Sequence, residues 1–361
     1  MSEAFIPVIS LLVKSTVVVF CAGALVAVLR ALNVAAAVRH FVWLSAFIAI
    51  AFLPTLASAL PQITVALPYS ALGIATPDLS TPGEHLADHS VAAWIWSVYA
   101  IGVSAMLARL VGARAALSAL WRRAQPHAAR GDLDDIQRIA GVRDTVELRI
   151  CNKPIAPLTW GARVLLPATA INWPAPCQRD VLLHELCHMA RRDSLTQMLA
   201  AIVRAAFWFS PAVWFAMREL RIEQERVCDE RVLAGGVAAA DYAQTLVDVA
   251  ADSQPFQSGM GVSTAMVQPS HLERRVVAIL EPQRARPLQP SYTAMLGAAL
   301  LCTGAALAAT QPQDSARILG SLAPLTAIQQ PLATDDQRLA PLSPPTARAN
   351  APEAQGANSK R

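Results

Sequence analysis

Of 361 residues, 54% are apolar and only 16% are charged, with a net charge of +4. This excludes an ordinary soluble globule, and several apolar runs approach the ~20 residues that cross a bilayer. No long Lys/Arg run and no aromatic-basic interleaving occurs, which argues against direct nucleic-acid binding.

The first predicted span is Ala4 to Leu29, broken only by Lys14. A charge at that depth is costly, so Lys14 either snorkels to the nearer surface or faces the other helices. A cleavable signal peptide would have a shorter apolar region, so a retained helix is expected. Arg30, Arg39 and His40 fill a short connection, and Phe41 to Leu60 make the second span. The loop Pro61 to Ser90 holds Asp78, Glu84 and Asp88 but no Lys or Arg. Val91 to Val111 make the third span, followed by Arg114, Arg122, Arg123 and Arg130. Arg284 and Arg286 precede a fourth, Tyr292 to Ala309. The positive-inside rule then orients the chain. The N-terminus, the acidic loop and the tail from Thr310 are expected outside, and the segment from about Arg122 to Gln289 in the cytoplasm.

Within that segment Leu133 to Ala140 reads as a helix, and Val146 to Ile150 and Ala162 to Leu166 as strands. The stretch from Arg179 to Ser210 contains no Gly or Pro and reads as helical throughout. It carries His184-Glu185-x-x-His188. On a helix, residues four apart share a face, so the two imidazoles can converge on one metal ion. Glu185 sits beside them, where it can take a proton from water.

A zinc hydrolase needs a third protein ligand and an open fourth position. The candidate helix is Glu219 to Glu230, closed by Gly235-Gly236. Glu225 and Asp229 are four apart and can both face the first helix. Glu225 is the candidate ligand, and Asp229 the candidate partner of a ligand imidazole. A helix rich in Glu and Arg is also what a solvated face looks like.

Between them, Met198 to Met217 is apolar enough to resemble a further span. Arg204 lies inside it, and Ser210-Pro211 makes an N-cap with Pro at the first helical position. A crossing there would also put Glu225 across the bilayer from His184 and His188. Two half-helices, buried in the protein or dipping into the membrane face, are expected. At ~1.5 Å per residue a plain hairpin pivoting at Ser210 pairs Glu225 with the region near Leu195. A bend must bring it to His188, and the sequence does not locate one.

The six cysteines do not form a disulfide framework, since Cys21 and Cys302 fall in spans and the rest in the expected cytoplasmic segment. By helical spacing Cys187 and Cys228 flank the site and point away from the ligand face. Asp252 to Ser270, with Gly259 and Gly261, has no helical or strand period and reads as an exposed loop. The tail, Thr310 to Arg361, is rich in Pro, Ala, Gln and Ser with few aromatics, cannot bury a core and is expected to be disordered.

The runs HELCHMARRD, Trp208-Phe209-Ser210-Pro211 with Trp214, and ERVCDERVL resemble the membrane metallopeptidases typified by the BlaR and MecR beta-lactam sensor-transducers. The likeness covers roughly Leu148 to Leu280 and extends to the arrangement of spans. It implies a mainly α membrane protein of four transmembrane helices with a cytoplasmic α+β gluzincin-type domain. In that family, and in the related Ste24 and HtpX proteases, the third ligand is the Glu of E-x-x-x-D, which here is Glu225. The resemblance also places Pro157 to Gly161 and the following strand beside the active site. The sensors carry a large C-terminal penicillin-binding domain. This chain has only a short tail there, without its Ser-x-x-Lys motif.

Taken together these readings give a bacterial inner-membrane zinc endopeptidase. Zn2+ would be held by His184, His188 and Glu225, with Glu185 as general base and Asp229 behind the ligands. Tyr242 and His271 are the candidates for stabilising the oxyanion. The substrate would be a protein, in signal transduction a BlaI-type repressor, with self-cleavage in Asp252 to Ser270. A quality-control protease and a non-proteolytic signalling scaffold are the alternatives, and a homodimer is left open. The expected domain order is two spans (1–60), an outer loop (61–90), a third span (91–121), the peptidase domain (122–289), a fourth span (290–310) and the tail (311–361).

Overall fold

Apolarity with no helix breaker produces four long helices: α1 (Phe5–Ala31), α2 (Ala36–Ala59), α3 (His85–Arg123) and α10 (Pro290–Ala309). The computed structural model describes residues 5–61, 63–66, 85–127, 133–252, 269–281 and 286–313. Among these residues the same four helices are long and apolar enough to cross a membrane. The third is longer than the predicted span at both ends. Apolar residues mark the part that suits lipid, while the helix itself runs on through Arg114, Arg122 and Arg123.

Lys14 faces the other helices. It is 8% exposed, and its Nζ donates to the carbonyls of Thr310 at 2.8 Å and Ala308 at 3.4 Å. These are orphan acceptors at the C-terminal end of α10, where a cation also suits the helix dipole. α10 lies tightly on α2. A Cβ at Gly297 would come within 2.5 Å of the Phe41 ring, and one at Gly304 within 2.9 Å of Ala49 Cβ. Such close approach is what small residues allow between apolar helices.

The helix ends are tied in pairs. At one end Arg286 donates its amide to Asn33 at 2.8 Å and accepts from Ala35 at 3.0 Å. At the other, β1 (Ile63–Ala66) and β6 (Thr310–Gln313) form a two-stranded sheet. The first residues of the expected disordered tail are therefore a strand, because the partner edge offers backbone hydrogen bonds that composition does not reveal. Residues 314–361, like 253–268 of the expected cleavage loop and most of the acidic outer loop, lie outside the described residues. All described residues belong to one unit except Ala66 and Gln313, which group with residues outside the described set.

The segment after α3 holds β2 (Gln125–Pro126), α4 (Leu133–Ala140), β3 (Glu147–Cys151), β4 (Leu158–Trp160), β5 (Arg163–Pro167) and five helices. These are α5 (Ala175–Ala190), α6 (Asp193–Ala206), α7 (Pro211–Ala234), α8 (Ala239–Asp252) and α9 (Pro269–Leu280). The sheet order is β2-β3-β5-β4, with β3 and β5 parallel and β4 an antiparallel edge strand. Gly161 turns the chain between β4 and β5 at φ 61°, in the left-handed region where a side chain is penalised.

The apolar run Met198 to Met217 is a helical hairpin inside the bundle. Ala200, Val203, Phe207, Val213, Ala216 and Leu220 share one core with Val18, Val42, Trp43 and Phe47 of α1 and α2. At the tip, Tyr99 of α3 donates to the Ala206 carbonyl at 3.0 Å. Ser210 occupies the N-cap of α7 with Pro211 after it, but its side chain makes no capping bond. A second core joins β3, β5, α4, α5, α8 and α9 around Leu166, Leu182, Leu186 and Tyr242.

The first connection is fastened to α7 by charge. Glu223, wholly buried, accepts from Arg30 Nε at 2.9 Å and from Arg39 Nε at 2.8 Å. Arg30 also reaches Glu219 at 2.7 Å, and Glu230 receives the Ala36 amide at the start of α2. Burying a carboxylate costs several kcal/mol unless it is paired, so this cluster stands or falls together.

Replacing Gly297 or Gly304 with Leu should lower the thermal stability of the detergent-solubilised protein by about 1–3 kcal/mol through overpacking. Ala299→Leu, on the exposed face of the same helix, should not. Equal effects at all three positions would show that the α2–α10 contact is not tight.

Candidate metal centre

α5 starts after Pro174 with a second proline in its first turn, and it buries Leu182, Leu183 and Leu186 on one side. That packing fixes the rotation of the helix, so His184 (1% exposed) and Glu185 (2%) are held inside the protein. The predicted uninterrupted helix does not occur. α5 stops at Ala190, Arg192 adopts a left-handed conformation (φ 56°, ψ 39°), and α6 begins at Asp193. This is the bend that the sequence required and did not locate. It turns α6 away from α5, so that α7 packs against both. It also lets Asp193 fold back on His188, with Oδ2 2.8 Å from Nδ1. In a continuous helix residues five apart point in divergent directions and would not meet.

The predicted site residues are brought together. His184 Nε2 lies 3.3 Å from Glu225 Oε2, and His188 Nε2 lies 3.8 Å from Glu225 Oε1. On the far side of each ring, Nδ1 is already engaged. His184 Nδ1 faces the Tyr242 hydroxyl at 3.0 Å and Asp229 Oδ1 at 3.3 Å, and His188 Nδ1 faces Asp193. Both imidazoles therefore present Nε2 to the same carboxylate. His184 Nε2 and Glu225 Oε2 are buried and have no hydrogen-bond partner of acceptable direction. Converging, unpartnered donor atoms of this kind suit a metal ion.

Cys228 corrects the sequence reading. Its Sγ is 3.4 Å from His188 Nδ1, so it borders the site and does not point away. Among the described residues the group whose donor atoms all lie within 4.8 Å of one another is His184, His188 and Cys228. That grouping differs from the expected third donor, Glu225, whose carboxylate faces both Nε2 atoms. Cys228 reaches His188 through a nitrogen committed to Asp193. Burial, and then the neighbouring Cys187 thiol, push the Cys228 thiol well above its ordinary pKa.

Glu185 is held by Thr159, the middle residue of the edge strand. The Thr159 hydroxyl donates to Glu185 Oε2 at 2.7 Å and lies 3.1 Å from the Glu185 carbonyl. β4 thus sits beside the site, as the resemblance implied. Tyr242 is placed differently from its suggested role. It donates to Asp229 Oδ1 at 2.8 Å, behind the His184 ring, and cannot face an oxyanion on the Nε2 side. The side chain of His271 lies outside the described residues.

Sequence reasoning missed Asp193, Thr159 and Arg275. Arg275, on α9, donates to Asp229 from Nη2 at 2.6 Å and from Nε at 2.9 Å, and its Nη1 is 3.2 Å from Glu225 Oε2. Asp193 and Thr159 lie in stretches singled out by the resemblance (HELCHMARRD and Pro157 to Gly161) but were given no role, and no motif marks Arg275. Asp193 also had a local signal, an acidic residue opening a helix.

The charges interact strongly. Burial alone would lower the His184 pKa, but Asp229 and Glu225 outweigh it and raise the value to about 10. Burial would raise Glu225, yet Arg275 and the two imidazoles bring it down to about 2. His188 is likewise raised against its burial by Asp193 and Glu225. A metal entering here would displace protons from both rings, as metal ligands require.

A family model described as BlaR1 peptidase M56 matches residues 7–279. The chain belongs to this family. It is a membrane-type metallopeptidase family, and the match spans α1 to α9, well beyond the metal motif. Regulatory protein BlaR1 of Bacillus licheniformis is 29% identical over 160 residues, 43% of this chain and 26% of that protein. The methicillin resistance mecR1 protein of Staphylococcus aureus is 27% identical over 81 residues, 21% of this chain and 14% of that one. The chain thus spans about a quarter or less of the length of these relatives.

Arg192 is exposed and carries the strained backbone, so Arg192→Gly should leave stability unchanged or raise it by up to about 1 kcal/mol. Arg192→Val should lower it by about 1–2 kcal/mol. Thermal unfolding of the metal-stripped protein tests this. A Gly variant clearly less stable than the wild type would mean that the bend is held by the arginine side chain.

Proposed function

We propose that this chain is an integral-membrane zinc endopeptidase that cuts peptide bonds at the cytoplasmic face of a bacterial inner membrane. Its role is signal transduction through self-processing and inactivation of a cytoplasmic repressor. The observation that carries this reading is the convergence of two Nε2 atoms and the Glu225 carboxylate beside a buried, hydrogen-bonded Glu185. A zinc ion held by His184, His188 and Glu225 would supply Lewis acidity to the attacking water and the scissile carbonyl.

The chain's own residues do the rest. Tyr242 and Asp229 fix His184, and Asp193 fixes His188, each leaving Nε2 as the donor. Glu185, oriented by Thr159, takes the proton from the attacking water and passes it to the leaving amine. The open edge of β4 receives the substrate backbone as an added strand, which brings its carbonyl next to Glu185.

The same contacts support the proposed location. Arg30 and Arg39, which mark a cytoplasmic connection by the positive-inside rule, are paired with Glu219 and Glu223 of α7. The helix that carries Glu225 therefore shares their side. Residues 122–289 would form the cytoplasmic peptidase domain, with the N-terminus and the residues after α10 outside. Reporter fusions after Asp88, Arg130 and Gln313 should be active in the periplasm, cytoplasm and periplasm. A periplasmic signal at Arg130 would reverse the assignment.

The ligand set is tested by bound zinc in the purified protein. Glu225→Gln should lose the metal, whereas Cys228→Ser and Glu185→Gln should keep it. Glu185→Gln should also abolish a wild-type cleavage product ending between Asp252 and Ser270. Loss of zinc in Cys228→Ser with retention in Glu225→Gln would sink the assignment.

A further inference from the structure

We infer that Arg275 is a positioning residue of the metal centre, a single guanidinium that fixes Asp229 and Glu225 together and so orients His184 from both of its nitrogens. This rests on the zinc reading above. Arg275 is 5% exposed and shares a helix face with Leu272 and Ile279, which pack into the apolar core of this domain. An apolar side chain would serve that packing equally well, since burying a guanidinium costs several kcal/mol unless it is fully paired. The charge is therefore placed there for what it touches.

What it touches forms a closed ring. Nε and Nη2 hold both oxygens of Asp229. Asp229 Oδ1 in turn accepts from Tyr242 and lies 3.3 Å from His184 Nδ1. The remaining nitrogen, Nη1, is buried without a hydrogen bond and lies 3.2 Å from Glu225 Oε2. That oxygen is the one nearest His184 Nε2. Arg275 thus reaches the same imidazole by two routes, one behind the ring and one at its donor atom. The ring joins α5, α7, α8 and α9, and a planar fork is needed to close it. Lysine offers one point charge and cannot span two carboxylates in fixed directions.

The test uses the full chain in detergent with Arg275→Lys, Arg275→Gln, Asp229→Asn and the Arg275→Gln/Asp229→Asn double variant. Zinc affinity is read by chelator competition, coordination by the visible spectrum of the cobalt(II)-loaded protein, and fold by thermal unfolding of the metal-stripped protein. Both Arg275 substitutions should weaken zinc by about 10–100-fold and change the cobalt spectrum, with Lys giving no rescue. In the double variant the loss should be smaller than the product of the two single losses, because the Arg275–Asp229 contact is common to both while the Glu225 contact belongs to Arg275 alone. The double variant removes both buried charges, so it reports the coupling even where a single variant folds poorly. Unchanged zinc affinity and cobalt spectrum with a lower unfolding temperature would make Arg275 merely structural and overturn the inference. Multiplying losses would overturn it too. If the wild type itself bound neither metal, the zinc reading would fail and this inference with it. Metal-bound wild type with indifferent Arg275 variants would sink this inference alone.

Discussion

A carboxylate on α7 must meet two imidazoles on α5, and everything between those helices is arranged around that meeting. The chain leaves α5, and a straight continuation would carry it past the point where α7 could return to His188. The left-handed Arg192 breaks the helix at the cost of about 1–2 kcal/mol, and Asp193 uses the break to engage His188 and Arg191. The same residue that opens α6 thus sets the tautomer of a candidate ligand. Strain at Arg192 is tolerated because the hydrogen bond it permits could not form in a regular helix.

The site is embedded in paired charge. Arg275 holds both Glu225 and Asp229 of α7, while Arg30 and Arg39 bind Glu219 and Glu223 earlier in the same helix. The helix bearing the candidate ligand is therefore gripped on one flank by α9 and on the other by the connection between α1 and α2. Buried ion clusters add little net stability over apolar packing, but they are unforgiving of displacement. This suits a centre whose geometry must be held, and it links the position of α7 to that of the first two membrane helices.

The hairpin of α6 and α7 carries the second half of this arrangement. Its apolar tip is packed among α1, α2 and α3, so the polar end of α7 emerges where the arginines of the first connection lie. The edge strand β4 completes the site from the other side, through the Thr159–Glu185 hydrogen bond. In this family member the candidate metal site is tied to the apolar bundle by the helix that carries Glu225. The two cores are joined through α7, whose first half packs in the bundle and whose second half carries Glu225 and Asp229.

Much of this was legible in sequence. Apolar runs gave the four long helices, because crossing a bilayer requires length and apolarity that little else explains. His184, Glu185 and His188 were legible because helical spacing is local, and Glu225 with Asp229 for the same reason once the resemblance pointed to their helix. Arginine asymmetry marked the connection that α7 joins. Of the strands, β3 and β5 were placed to within a residue by alternation, and α4 by its apolar periodicity, while β1, β2, β4 and β6 are too short to show a pattern. Tertiary structure alone decided the rest. The break at Arg192 leaves no composition signal, since an arginine in the left-handed region is chosen by the contacts around it and not by its own propensity. Cys228 came to border His188 because α7 is rotated by packing that spacing rules cannot see. Asp193, Thr159, Tyr242 and Arg275 reach the site from four different elements, and a contact between distant segments depends on how whole elements pack. Local chemistry wrote the candidate ligands into the sequence, and long-range packing chose their partners.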